Sequence, residues 1–134
     1  MLTLAIDRKG EAPVYEQVAD QLRQLVAGGA LDPGTLLPSV RQLAGDLGVN
    51  LNTIARAYRL LEDEGFLVIH DRSGVEVAAP AGKVDRSARS RLLDQLRANL
   101  ARLRQAGMTP EELLRVLRRE VEAMGPRPGG KEDE

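Results

Sequence analysis

The sequence predicts a mainly α-helical protein with a small β-hairpin and, after it, a hairpin of two further helices. Three observations predict this fold class. Apolar residues recur at helical spacing in five stretches, which is the pattern of amphipathic helices. Glycine, proline and capping residues separate these stretches. Two short apolar runs, FLVI (66–69) and VEVAA (75–79), flank the polar stretch HDRSG and predict the two strands.

The first two predicted helices have clear start and stop signals. Pro13 suits the first turn of a helix, because its missing N–H costs nothing there, and Gly28 ends the run. The apolar stripe of this first helix consists of Val14, Val18, Leu22, Leu25 and Val26. After a Pro-Gly turn, Ser39 and Gln42 form a capping box that opens the second helix, and Gly48 ends it.

The third predicted helix has one buried face and one polar face. Asn50 can cap its start and Gly65 ends it. Its inner face is predicted to contain Ile54, Tyr58 and Leu61. Its other face presents Asn52, Thr53, Arg56 and Arg59. Two short helices joined by a tight turn, with a helix before and a hairpin after, predict a winged helix-turn-helix. Asn, Thr and Arg side chains suit base edges and phosphates, so the third helix is the predicted DNA reader.

The second half of the chain predicts a dimerisation hairpin. Thr109, Pro110 and Glu112 form a complete helix start signal between two Leu-rich stretches. Short helices take most of their stability from packing, so two such stripes predict a four-helix bundle with a second chain. The predicted dimer contacts are Leu93, Leu96, Leu100, Leu103, Leu114, Leu117 and Val121. Such a dimer would present its two reading helices to half-sites about 34 Å apart.

A composition change near AAPAGKVDRSARS (78–90) predicts the domain boundaries. We expect a DNA-binding domain over 1–79, a linker over 80–90, a helical hairpin over 91–124 and a disordered tail over 125–134. No cysteine is present, which excludes disulfides and thiol chemistry and fits a reducing compartment. No signal sequence or membrane-length apolar stretch is found, so a cytoplasmic protein without membrane contact is expected.

Net charge is a point against DNA binding. The whole chain has a net charge of −1. Residues 1–80 carry seven basic and eleven acidic residues, a net charge of −4, while residues 81–134 carry twelve and nine, a net charge of +3. DNA binding therefore depends on how charges are placed on one face, since their total does not favour it.

Several submotifs together resemble the amino-terminal domain of GntR-family bacterial regulators. They are PVYEQV, LDPGTLLPSVRQLA, LGVNLNTIARAY and LEDEGFL, which occur in order over about half of the chain. The short carboxy-terminal part with GMTPEELLRVLRREVE resembles the YtrA-like branch, which has a small helical dimerisation tail and no large effector domain. The resemblance implies that Arg41, in the LPS-x-R motif, contacts DNA. It implies the same for the positions that open the reading helix, Asn50, Asn52 and Thr53, followed by Arg56.

The wing departs from the family pattern. Where the family's wing resembles RRGRGTFV, this chain has HDRSGVEV, with Gly74 at the matching tip. The leading basic pair becomes His70-Asp71, and Glu76 replaces an apolar residue. Arg72 is the best remaining candidate for a wing contact with the minor groove.

Each candidate also has an ordinary structural interpretation. The polar positions of the reading helix could be a solvated face, and Asn50 could be a cap alone. His70 is typical of a surface residue, while Tyr15 and Tyr58 are typical of helix packing. A final set of arginines could form either a solvated face or a second nucleic-acid patch, namely Arg115, Arg118 and Arg119.

The leading prediction is a homodimeric, sequence-specific DNA-binding repressor that acts on a palindromic operator. A winged helix that binds another protein instead of DNA is the alternative, and the acidic first segment favours it. No paired carboxylates, nucleophile motif, phosphate loop or metal set is recognisable, so neither an enzyme nor a cofactor is predicted. The sequence identifies no small-molecule effector.

Overall fold

The computed structural model describes residues 2–70, 74–80 and 86–124. The chain divides into two compact units, the first ending at Pro80 and the second containing the described residues 86–124. Arg72 and the predicted tail over 125–134 lie outside the described residues, as do residues 81–85 of the predicted linker.

The first unit contains the three predicted helices, α1 (Val14–Ala27), α2 (Val40–Leu47) and α3 (Leu51–Asp63). The capping box at the start of α2 is confirmed, because the Ser39 side chain accepts from the Gln42 amide and the Gln42 side chain accepts from the Ser39 amide. The left-handed end at Gly48 is confirmed with φ of 68°. That conformation turns the chain sharply between α2 and α3, which is why a glycine stands there.

A three-stranded antiparallel sheet completes the first unit. Its strands are β1 (Leu36–Leu37), β2 (Leu67–His70) and β3 (Gly74–Val77), in the order β1-β3-β2. The β2–β3 hairpin is the predicted wing. Strand β1 was not predicted, because two residues before a proline carry no alternating pattern. It adds Leu37 to the inner face of the sheet, opposite Val75.

The core lies where α1, α2 and the inner face of the sheet pack around α3. The predicted inner face of α3 is confirmed, since Ile54, Tyr58 and Leu61 are fully buried. From α1, Val18 and Leu22 are also fully buried against it. This continuous core fixes the orientation of α3 and leaves its opposite face in solvent.

The second unit is a hairpin of α4 (Arg86–Gln105) and α5 (Pro110–Met124). Helix α4 begins at Arg86, inside the segment 80–90 that the sequence predicts as a linker. The start signal of α5 is confirmed: Glu112 donates its amide to the Thr109 Oγ1, and the Thr109 amide donates to Glu112 Oε1, at 3.1 and 2.8 Å.

The hairpin buries little of its apolar surface. Among residues 86–124, Leu113 alone is buried. Leu100 and Leu117 are half-buried. The other predicted contact residues are all at least two-fifths exposed, namely Leu93, Leu96, Leu103, Leu114 and Val121. Within the described ranges, no helix is both long enough and apolar enough to span a membrane.

Candidate nucleic-acid interface

The outer face of α3 carries three of the predicted site residues. Asn52, Arg56 and Arg59 are exposed and recur at i, i+4 and i+7, so they lie along one side of the helix. The buried Ile54 and Leu61 are on the opposite side. Thr53 is half-buried at the edge of this face. A rigid helix therefore presents amide and guanidinium donors to solvent, the groups that read base edges and phosphates.

Asn50 caps α3. Its Oδ1 accepts a hydrogen bond of 2.7 Å from the Asn52 amide. The cap confirms the structural role predicted for Asn50 and stabilises the first turn, where the orphan N–H groups of the helix point outwards. This turn also holds Asn52 and Thr53, so the cap orders the part of α3 that carries two candidate DNA contacts.

Arg41 is exposed in the first turn of α2. The buried hydroxyl of Tyr58 joins the segment just before this helix to α3. The Tyr58 hydroxyl donates a 2.7 Å hydrogen bond to the carbonyl oxygen of Pro38, just before the α2 cap. Burial raises the pKa of the Tyr58 phenol above its ordinary value, so that the hydroxyl remains a donor. Tyr58 therefore does more than fill the core, because it ties the entry of α2 to α3.

Arg56 is stacked on an aromatic ring of α1. Its Cζ lies 3.7 Å from the centroid of the Tyr15 ring. The two side chains line a cleft of about 390 Å³ between the starts of α1 and α3, together with Pro13, Val14, Asn52 and Thr53. None of the residues lining it is acidic. The structure thus brings three predicted contact residues to one place, beside a tyrosine that the sequence suggested only as a packing residue.

Arg8 holds the turn between α2 and α3. Its Nη2 donates to the carbonyl oxygens of Leu47 and Gly48, both at 2.9 Å. A cation at these carbonyls also suits the negative end of the α2 dipole. Sequence reasoning missed this contact, because nothing local connects an arginine before α1 with a turn some 40 residues later.

Two of the three acidic residues at the end of α3, Glu62 and Glu64, contact other elements of the first unit. Glu64 forms an ion pair with Arg23, with Nε and Oε1 2.9 Å apart. Glu62 accepts a 3.0 Å hydrogen bond from the Ile69 amide in β2. These two carboxylates are thereby directed towards α1 and β2. The net negative charge of this segment is therefore not concentrated at the start of α3.

The wing carries a side-chain contact between a histidine and a glutamate. His70 Nε2 and Glu76 Oε1 are 3.0 Å apart across the β2–β3 ladder. Gly74, the predicted tip residue, begins β3 with φ of 101°, a left-handed conformation that favours glycine. The residues at positions 70 and 76, where the wing departs from the family pattern, therefore contact each other.

Metal-binding chemistry is not visible in the part of the chain that the structure describes. No group of three or more His, Cys, Asp or Glu side chains is placed there to hold a metal ion.

The gntR family model of bacterial regulatory proteins matches residues 14–77. An HTH-type transcriptional regulator of Mycobacterium tuberculosis is 45% identical over 56% of this chain and 62% of its own length. The HTH-type transcriptional repressor YtrA of Bacillus subtilis is 42% identical over 48% of this chain and 49% of its own length. The chain thus spans less than two thirds of these relatives. It covers 84% of the uncharacterised HTH-type regulator YhcF of Bacillus subtilis, at 34% identity over 76% of this chain.

Solved structures show the same fold. YtrA from Sulfolobus acidocaldarius, a GntR-family transcription factor, is 40% identical and superposes with a TM-score of 0.60, over 73% of this chain and 97% of its own. The DNA-binding domain of AraR, solved in complex with an operator, is 25% identical with a TM-score of 0.52, over 58% of this chain and all of its own.

The similarity to YhcF runs beyond the first unit, and the YtrA proteins match on both sequence and structure. The three helices and the wing occupy the range that the family model matches. The chain is therefore a member of the gntR family of bacterial regulatory proteins, of the YtrA-like branch, with a winged helix-turn-helix as its first unit.

Proposed function

We propose that the protein is a sequence-specific DNA-binding repressor that acts as a homodimer on a palindromic operator. The observation that carries the proposal is the outer face of α3, where Asn52, Arg56 and Arg59 are exposed on a helix whose other side is fully buried. Such a helix can enter a major groove without rearrangement of the core. The operator complex of the AraR domain supports DNA as the ligand, and the name of the Bacillus YtrA relative supports repression.

The proposed DNA contacts are the polar residues around this face. Base contacts are assigned to Asn52, Thr53 and Arg56, while Arg59 lies further along the same face. Asn50 and Arg41 are the proposed contacts to the DNA backbone, since each lies near the first turn of its helix, where N–H groups attract phosphate. Gly74 allows the close approach of the wing, and Arg72 remains its proposed minor-groove contact.

Dimerisation is proposed to occur through the hairpin, in the segment 91–124, with 1–79 as the DNA-binding domain. The seven predicted contact residues on α4 and α5 are all exposed or half-buried, whereas only Leu113 is buried in the described part of the hairpin. Both helices present such stripes, so a second copy related by a two-fold axis can cover both at once. The symmetry would be matched by two inverted half-sites in the operator.

The proposal also concerns the location of the protein and its need for a cofactor. A repressor of this kind acts where bacterial DNA lies, in the cytoplasm, and needs no cofactor to bind its operator. Its relatives named above are regulators, which supports a role without catalysis.

Selection of bound sequences from a random DNA pool tests the proposal. We expect an inverted repeat, bound by the full chain at least a thousandfold more tightly than random DNA, which is about the lower end for specific DNA-binding proteins. Affinity should fall steeply with salt, since phosphate contacts release counterions. A flat salt response and no enriched sequence would contradict the proposal and favour the protein-binding alternative.

Arg56→Ala refines the test. We expect it to weaken binding to the selected sequence by about 1–3 kcal/mol, because a bidentate base contact is worth that much. The matched control is Arg97→Ala, which removes the same charge from the exposed Arg97–Asp94 pair on α4. An equal loss on selected and random DNA would assign Arg56 to a phosphate instead of a base.

A further inference from the structure

The contact between Arg56 and Tyr15 joins the reading helix to a helix outside the helix-turn-helix. The guanidinium carbon lies 3.7 Å above the ring centroid, which is stacking distance. Arg56 is exposed, whereas Tyr15 is half-buried near the start of α1. A long exposed arginine would otherwise sample many rotamers in solvent.

The two helices that carry this pair are firmly packed against each other. Ala19 of α1 and Ala57 of α3 are both essentially fully buried, and small residues at these positions allow a close approach of the helices. The ring therefore has a fixed position relative to the backbone of Arg56. Stacking on a fixed ring gives the guanidinium a fixed plane as well.

Stacking leaves the hydrogen-bonding edge of the guanidinium available. Its five N–H donors lie in the plane of the group, and the ring contacts only one face of that plane. The cleft beside the stack is lined by Asn52 and Thr53, which face the same space. A guanidinium stacked here is ordered before any DNA arrives and lies beside the open cleft.

We propose that Tyr15 is a specificity-determining residue, which positions Arg56 for one base contact by holding its guanidinium in a fixed plane. This inference rests on the proposed reading of DNA by α3. The choice of base would then depend on α1 as well as on the reading helix, because ordering the arginine in advance lowers the entropy lost on binding. A loosened arginine could satisfy several base pairs or a phosphate, and discrimination would fall.

A competing role of the Tyr15–Arg56 contact would change DNA affinity in the opposite direction. If Arg56 must leave Tyr15 to reach the groove, the stack competes with DNA, and removing the ring increases affinity. The open position of the stack at the cleft, next to Asn52 and Thr53, favours the positioning role.

The test compares Tyr15→Leu with Tyr15→Phe in the full chain. Leucine removes the ring, whereas phenylalanine keeps it and removes only the hydroxyl, which donates a 3.2 Å hydrogen bond to the neighbouring Glu16. Binding is measured by fluorescence anisotropy on the selected sequence, on its single-base-pair variants and on random DNA. Thermal unfolding verifies that each variant is folded.

We expect Tyr15→Leu to weaken binding about two- to fivefold for each half-site of the selected sequence, the range given by one exposed cation–π contact. Discrimination at one base pair should fall by the same factor, while binding to random DNA stays the same. Tyr15→Phe should retain discrimination. With Arg56→Ala already present, Tyr15→Leu should have no further effect, since a positioning residue acts only through the residue it positions.

A second measurement needs no DNA. The Nε–H proton of Arg56 should show an upfield ring-current shift in the wild type and in Tyr15→Phe, and lose it in Tyr15→Leu. Tighter binding by Tyr15→Leu would overturn the inference, as would equal losses on selected and random DNA or a full loss in the Arg56→Ala background. If the wild type itself fails to discriminate selected from random DNA, the proposed function fails and the inference with it. If the wild type discriminates and Tyr15→Leu discriminates equally, the inference alone is wrong.

Discussion

The two units of the chain differ in how much of their apolar side-chain surface is buried. The first unit closes a core of fourteen buried residues around α3. In the described part of the second unit, Leu113 alone is buried, although α5 carries as regular an apolar pattern as the helices of the first unit. Amphipathic sequence alone therefore does not produce a core. The first unit has a sheet and three helices to enclose one, while a pair of helices has no third layer to cover its stripes.

The largest expected effect comes from Leu22→Ala in the first unit. Leu22 is fully buried, so the truncation removes packed methyl groups and leaves a cavity. We expect the free energy of unfolding to fall by about 2–5 kcal/mol in urea titration. The same change at Leu114, which is 64% exposed, should cost less than about 1 kcal/mol in dilute protein. Equal losses at the two positions would contradict the comparison.

The next effect concerns association of the second unit. Leu114→Glu with Val121→Glu introduces two charges at the most exposed apolar positions of α5. Each buried side chain at a dimer contact contributes about 1.5–3 kcal/mol, so the dimerisation constant should weaken at least about a hundredfold. Sedimentation equilibrium measures this constant, and operator affinity should fall with it.

Ala98→Glu with Gln105→Glu is the matched control for that pair. It adds the same charge at two exposed positions seven residues apart, on the side of α4 opposite Leu96. The control should remain dimeric. A wild-type protein that sediments as a monomer, or equal dissociation of both double variants, would show that the leucine stripes are not the dimer contact.

Two equivalent caps, one in each unit, sharpen the comparison further. Ser39→Ala and Thr109→Ala each remove one capping hydroxyl, and each should destabilise its helix by about 1 kcal/mol. Hydrogen exchange should accelerate at the Gln42 amide in the first case and at the Glu112 amide in the second. Because the chain divides into two compact units, neither change should accelerate exchange in the other unit. Ser90→Ala, at an exposed position within α4, serves as the control and should leave both amides unaffected.

The features of the fold that could be predicted from the sequence depend on residues that are close together in it. The Ser39 and Thr109 caps, the glycine turn at Gly48 and the inner face of α3 depend on residues within a few positions of each other. Such features are read directly from spacing, and the structure confirms them. Strand β1 could not be predicted, because a two-residue strand exists only through its pairing with β3.

The contacts of the candidate site that were not predicted join residues far apart in the sequence. Arg56 was identified as a candidate contact, but its stack on Tyr15 joins residues 41 positions apart. The bonds from Arg8 to the turn after α2 span a similar distance. A sequence pattern indicates which side chains are polar and which face of a helix they occupy. It does not indicate which neighbour of another helix fixes their orientation, because that depends on how the helices cross.

An effect as small as that of one cap is expected at the buried Tyr58 hydroxyl that joins α2 to α3. Tyr58→Phe keeps the ring in the core and removes the hydrogen bond to the Pro38 carbonyl. We expect a loss of about 1 kcal/mol in unfolding free energy at neutral pH, the usual net value of one hydrogen bond. The double variant with Leu22→Ala should show additive losses if the two changes act independently.

The pH dependence of the unfolding free energy should also distinguish Tyr58→Phe from the wild type. Burial raises the pKa of Tyr58 in the folded state above the ordinary value of 10.0, which the phenol regains on unfolding. Its contribution to stability is therefore fully present below pH 10.0 and is lost as pH rises towards the folded pKa, since only the unfolded chain ionises there. The wild type should lose stability faster than Tyr58→Phe above that pH, and the gap between them should narrow. Parallel pH curves would show that the Tyr58 hydroxyl is solvated in the folded protein. The tie between α2 and α3 would then rest on apolar packing alone, the same kind of contact that the hairpin lacks within one chain.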